Sequence, residues 1–159
     1  MPFASWQPYL TLTTAVAVSF FSEELSGVVF AAFAGMMHPW KTREEYWGYL
    51  ATFLHTTQTA PVRHSYLDLD ALLKGKDFFI LTTNQDTQFV KLYPEEKVAE
   101  IQGDHRFFQC AACCTDDTWD AVKPVTDMVA AMGDGTKIPT DLIPRCPHCG
   151  GEAFPWVRG

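Results

Sequence analysis

The chain reads as an α/β protein, a partial parallel sheet followed by a small module held by metal. Three observations predict this. A helical pattern with a capping signal precedes a short, continuous apolar run at 78–82, and a second strand-like run follows at 98–102. Beyond residue 105 apolar periodicity fades and Pro, Gly, Asp and Cys accumulate. All five cysteines (110, 113, 114, 146 and 149) fall in two clusters inside that last stretch.

The bulk numbers fit one ordinary domain with a real core. The chain has 159 residues, 47% of them hydrophobic and 19% charged, which is not the composition of a disordered segment. A net charge of -7 argues against a nucleic-acid binder that works by neutralising phosphates. Leu10 to Met37 is apolar, but Glu23 and Glu24 interrupt it, so no uncharged stretch reaches the roughly 18–20 residues a bilayer span needs. No basic residue precedes the apolar run, which speaks against a secretory signal. The expectation is a cytoplasmic protein without nucleic-acid or membrane partners. Its thiols are then reduced, and clustered cysteines favour metal over disulfide.

Residues 1–37 are poorly patterned, and Thr11 to Phe21 suits strand or helix alike. Thr42 followed by Glu45 forms a capping box that opens a helix. Tyr46, Leu50, Phe53 and Leu54 then share one face, a pattern of core packing. Ser65 starts a second, shorter helix with Leu69, Leu72 and Leu73 inward, and Lys74-Gly75 closes it because glycine tolerates the left-handed stop. Phe78-Phe79-Ile80-Leu81-Thr82 has the continuous apolarity of a strand buried on both faces. Val98 to Gln102 is the second strand, and together these elements make an α/β unit. In open parallel sheets ligands bind beyond the carboxyl ends of the strands. Thr83-Asn84-Gln85-Asp86 lies beyond one such end and Gln102 at the other. From about 105 to 156 the one long apolar pattern is near Val125 to Met132, as in a module where metal stands in for a core.

Cys146-Pro147-His148-Cys149-Gly150-Gly151 is the strongest local motif. Two thiolates three positions apart on a Gly-opened turn reach one tetrahedral zinc. Cys110 supplies the other side, partnered by Cys113 or Cys114. The gap between the clusters exceeds the common ribbon spacing of about 15–20 residues. His105 and His148 are expected to face solvent or to sit behind the ligands. A four-cysteine site is closed, so such a zinc folds the module instead of catalysing.

The ordered set of motifs resembles the sirtuin family. Sirtuins carry a Gln-Asn-Ile-Asp-type segment after a strand, then a His-Gly turn, then two cysteine pairs, the second followed by Gly-Gly and a Pro. Here Asn84 and Asp86 match the first segment with Thr83 in place of its Gln. Gly103 matches the turn with Gln102 in place of its His, and Cys146, Cys149, Gly150, Gly151 and Pro155 match the last part. The resemblance is closer still to the macrodomain-linked (class M) sirtuins, through Thr82-Thr83-Asn84, Gln102-Gly103-Asp104, Phe108-Gln109-Cys110 and the approach from Ile138 to Pro144. It covers about 40 to 158. In that class three residues separate the first cysteine pair, which favours Cys114.

The resemblance implies a partial Rossmann-like parallel sheet with a zinc-ribbon-type module. Residues 38–104 form the partial Rossmann-like NAD-binding region, 105–159 the zinc-binding module and 1–37 a poorly matched N-terminal segment. It assigns Cys110, Cys114, Cys146 and Cys149 to zinc, Thr83, Asn84, Asp86 and Gln102 to NAD, and Asn84 and Gln102 to catalysis. Asn84 would bond the ribose or a water and Asp86 would accept from the nicotinamide carboxamide. An amide at Gln102 cannot serve as the general base that the family's His provides in deacylation. Transfer of ADP-ribose to a protein acceptor is therefore the implied activity. Two departures stand out: residues 1–37 lack the Gly-rich loop that cradles the NAD pyrophosphate, and the chain stops at Gly159 where the family continues. It thus reads as an internal fragment or shortened relative. The competing expectations are a non-catalytic zinc-stabilised module, a protein-binding fragment and, least favoured, an NAD-dependent deacylase.

Overall fold

The computed structural model describes residues 35 and 37–157. The expectations for residues 1–34, including the Thr11 to Phe21 segment, fall outside them.

Helix α1 (Arg43–Thr59) starts as the capping signal predicts, with the Thr42 hydroxyl accepting from the Glu45 amide at 3.2 Å. It ends where Pro61 forces Ala60 into an extended conformation (ψ 137°). Lys91 then satisfies terminal carbonyls, donating to Thr57 O at 3.0 Å and Ala60 O at 2.7 Å. Its inward face is Tyr46, Trp47, Leu50, Ala51 and Leu54, with Phe53 half-buried at its flank.

Helix α2 (His64–Leu73) begins one residue before the expected Ser65 and lacks a side-chain cap. A tertiary contact fixes its entry instead: the Arg63 amide donates to Gln88 Oε1 at 2.9 Å. Tyr66 is its buried residue, Leu69 and Leu73 are half-buried, and Leu72 is 66% exposed. The expected inward Leu72 is thus corrected, because the buried stripe runs through 66, 69 and 73. Gly75 takes the left-handed conformation (φ +76°) that the stop requires.

Strands β1 (Ile80–Thr82) and β2 (Val98–Glu100) pair in parallel, Ile80 with Val98 and Thr82 with Glu100. A short helix α3 (Gln88–Leu92) and a 3₁₀ turn at Glu95–Lys97 connect them. The α/β unit is therefore present, but β1 is not buried on both faces. Ile80 packs with Tyr66 and Phe89, while Phe79 and Leu81 are 62% and 66% exposed. Alternate side chains of a strand point to opposite faces, and the described residues cover one of them.

The second half is antiparallel. Strand β3 (Gly103–Cys110) lies between β4 (Trp119–Asp120) and β5 (Ala153–Val157), and helix α4 (Val122–Met132) follows β4. The largest core joins α1 to this half: Trp47, Leu50 and Leu54 meet Phe108, Ala121, Val125, Met128, Ile138 and Ala153. The module around the cysteines therefore does bury apolar surface, using α1 as the other wall. Polar staples reinforce the seam, with Trp47 Nε1 donating to Glu152 Oε1 at 2.5 Å and Lys137 pairing with Glu45 at 3.2 Å. Gly103 is required where β3 starts. Its φ is +110°, and a Cβ there would stand 2.2 Å from Trp156 O.

Candidate functional site

Two groups of side chains carry chemistry. The first is the cysteine cluster. The register of β3 on β5 places Cys110 opposite Ala153, and Ala111 N donates to Glu152 O at 3.1 Å. This brings the end of β3 beside the turn of Cys146 to Gly151, which closes through Cys146 N to Gly151 O at 2.7 Å and Gly150 N to Cys146 O at 2.9 Å. The Sγ atoms of Cys110, Cys114, Cys146 and Cys149 all lie within 4.8 Å of one another. Cys110 and Cys149 are 3.7 Å apart and Cys114 and Cys146 3.5 Å. A tetrahedron with Zn–S bonds of about 2.3 Å has edges of about 3.8 Å, so the four thiols are positioned to bind a metal ion such as zinc.

The geometry resolves the choice left open by spacing. Cys114 is in the cluster, and Cys113, in a left-handed conformation at φ +53°, is outside it. Amides of His148 and Gly151 donate to Cys146 and Cys149 Sγ, each at 3.4 Å, as expected around a structural metal. The Cys114 amide, first of several bonds, draws the Cys110 thiol down to about 6. The Cys110 sulfur in turn pushes the Cys114 thiol up. Four thiolates this close need a cation among them.

Of the two histidines, His148 meets the expectation and His105 does not. His148 is exposed and faces Asp117 at 3.1 Å. His105 is only 9% exposed, with its ring edge-on to Phe53. It lies on β3 five residues before Cys110, roughly 16 Å along an extended strand, so it neither faces solvent nor supports the metal. Burial lowers its imidazole to about 4.

The second group lies at the carboxyl ends of β1 and β2. The Tyr66 hydroxyl joins two of the sequence-predicted residues. It donates to Asp86 Oδ2 at 2.5 Å and accepts from Asn84 Nδ2 at 2.7 Å. Burial, and next the bond to Asp86, hold the phenol well above its usual range, so it stays a donor. Asp86 Oδ1 accepts from Gln88 N at 3.1 Å, and Asn84 N donates to Thr82 Oγ1 at 3.0 Å. Thr87 follows in a left-handed conformation (φ 60°), buried, its hydroxyl donating to Thr57 O at 3.0 Å. A β-branched residue rarely adopts that backbone, and such strain concentrates at functional sites. Gln102 is exposed in the turn after β2, and its carbonyl accepts from Gln85 Nε2. Thr83 is exposed beside Asn84.

Among the described residues several buried polar atoms lack a protein partner: Gln58 Oε1, Arg63 Nε, both oxygens of Glu100, and His105 Nδ1. Gln58 Nε2 bonds His105 O at 2.8 Å, Arg63 N bonds Gln88, and Glu100 and His105 both feel the Asp86 charge. Buried polar atoms without partners are uncommon in folded proteins, and those of Gln58, Arg63 and His105 suit a ligand that supplies the missing bonds. Sequence reasoning missed Tyr66, Glu100 and His105. At spacing 66, 69, 73 the tyrosine reads as core, and only the charged residue closing an apolar strand was a visible sign of Glu100.

The folded chain is thus an α/β protein with four cysteines positioned to bind a metal ion and a polar cluster at the carboxyl edge of its parallel strands. Known proteins give that class a narrower setting. No family model matches the chain. It is 36% identical over 115 residues to a "Protein ADP-ribosyltransferase" of Staphylococcus aureus (strain Mu50 / ATCC 700699), across 71% of this chain and 36% of that protein. It is 32% identical over 128 residues to a "Probable bifunctional ADP-ribose hydrolase/ADP-ribosyltransferase" of Fusarium oxysporum f. sp. cubense, across 75% of this chain and 21% of that protein. The chain spans about a third of the first relative and about a fifth of the second.

Proposed function

We propose that this chain carries the nucleotide-handling edge and the zinc module of an NAD-dependent protein ADP-ribosyltransferase of sirtuin type, nearest to the macrodomain-linked class. In this reading residues 38–104 hold NAD and residues 105–159 hold zinc. The observation that carries it is the Asn84–Tyr66–Asp86 arrangement at the end of a parallel strand. The two relatives named as ADP-ribosyltransferases support the same activity.

Bound at this edge, NAD supplies a nicotinamide–ribose bond whose cleavage allows transfer of ADP-ribose to a protein acceptor. Asp86 is suited to accept an N–H from a carboxamide, and Tyr66 holds it in place. The bond to Tyr66 uses the Asn84 amino group, which leaves the Asn84 carbonyl oxygen as an acceptor for a ribose hydroxyl or a water. Fixed dipoles of this kind act by positioning and by stabilising charge as it develops. Gln102 orients, beside Thr83, but cannot take a proton. The acceptor side chain must therefore bring its own nucleophile, and lysine deacylation is disfavoured. Zinc serves the fold, and reduced thiols suit a cytoplasmic setting.

The second reading is a zinc-stabilised module without NAD turnover, or a protein-binding segment. The closed set of four thiols, which would build structure whether or not NAD is turned over, favours it. Asn84→Ala in the full-length context should abolish transfer of ADP-ribose from labelled NAD to protein. Retained transfer would contradict the assignment.

A further inference from the structure

Glu100 closes β2, one residue before the turn of Ile101 and Gln102, and Asp104 stands just beyond that turn on β3. Both Glu100 oxygens are buried and meet no hydrogen-bond donor. The neighbour within hydrogen-bonding reach is the Asp104 carboxylate, itself an acceptor. Asp104 is buried and already held: it receives Arg106 N at 2.8 Å, Arg106 Nε at 2.9 Å and an ion pair to the same guanidinium at 2.7 Å. Arg106 spends its remaining reach on Glu95 at 3.2 Å.

The groups facing Glu100 are Asp104 and Arg106 from β3, Asp86 from the loop after β1, and Tyr66 from α2. Arg106 is the single cation in that set and is committed to Asp104 and Glu95. An ionised Glu100 would be a buried charge without compensation. Two carboxyl groups in contact can bond only when one of them carries a proton.

We propose that Glu100 is a positioning residue whose carboxyl shares one proton with Asp104 and so clasps the two ends of the turn that carries Gln102. The O–H of Glu100 donates to Asp104, whose negative charge Arg106 neutralises. The clasp closes a turn otherwise secured by Ile101 N to Thr82 O at 3.0 Å and by the Gln85 side chain on the Gln102 carbonyl. Burial first, and the Asp104 charge second, raise the Glu100 carboxyl to about 8. Above that pH two carboxylates face each other and the turn loosens. The functional weight of this device rests on the NAD reading above, but the clasp itself does not.

The test uses the full zinc-loaded chain, wild type and Glu100→Gln, taken from about pH 6 to about pH 10. In the wild type the Glu100 carboxyl carbon and the Gln102 and Gly103 amides should titrate together by NMR, with a midpoint near 8. In E100Q, which keeps a donor to Asp104, the two amides should not move over that range. Wild-type affinity for NAD should fall roughly tenfold across the midpoint, and E100Q should bind equally on either side. A Glu100 carboxyl already ionised at neutral pH, or turn amides that titrate equally in E100Q, would overturn the proposal. If the wild type binds no NAD at any pH, the NAD reading fails and the NMR titration still decides the clasp.

Discussion

At the cysteine centre four like sulfurs converge from two chain segments, and a cation among them leaves no ligand position open. At the carboxyl ends of β1 and β2 unlike side chains meet, Tyr66 ties Asn84 to Asp86, and buried polar atoms remain unmatched. The first arrangement is complete once metal is bound and serves the fold. The second is incomplete as a protein structure, and that incompleteness suits it to a ligand. The two regions also draw on different supports. The sulfurs are held by the β3–β5 register and by amides in their own turns, whereas the edge is held by side-chain contacts with α1, α2 and α3.

The largest expected effect follows from removing the metal. Apparent binding free energies of structural zinc sites are on the order of 10 kcal/mol, comparable to the total stability of a domain. A strong chelator, or Cys146→Ser, should unfold the β3–β5 region as read by circular dichroism and should release zinc. Cys113→Ser should leave stability within about 0.5 kcal/mol. Equal losses in C113S and C146S would refute the assigned ligand set.

A smaller effect lies at the edge. His105 is neutral in the fold and titrates at about 4, against 6.5 when unperturbed. Between those values the unfolded chain binds more protons, so this contribution is fully present above about pH 6.5 and is lost as pH falls toward about 4. It is on the order of 3 kcal/mol. Thermal unfolding of wild type and His105→Phe across this range isolates it, because acid loss of metal is common to both. Parallel curves would show that His105 is not buried neutral.

Much of the fold was legible because its signals are local. Thr42 and Glu45 fix one end of α1 and Pro61 the other, and the Cys146–Cys149 turn needs no partner to be recognised. The parallel pairing of β1 and β2 followed from two apolar runs separated by a connection. What was not legible depends on packing. The apolar run at 78–82 cannot report that one of its faces stays exposed. Spacing did not separate Cys113 from Cys114, since the choice turns on a left-handed residue in the loop. Tyr66 has the periodicity of a core residue, and only its hydroxyl, reaching across to a loop about twenty positions away, makes it part of the site. His105 was expected to face solvent or to sit behind the ligands, and only its packing against Phe53 shows it buried.

The proposed function stands or falls on NAD binding at the Asn84–Tyr66–Asp86 edge. Calorimetric titration of the zinc-loaded chain with NAD tests it most directly, alongside Asp86→Ala and Tyr66→Phe. Saturable binding is expected, largely removed by Asp86→Ala and weakened about tenfold by Tyr66→Phe, the worth of one hydrogen bond of about 1.4 kcal/mol. Absence of heat up to millimolar NAD, or equal affinity in all three proteins, would contradict it.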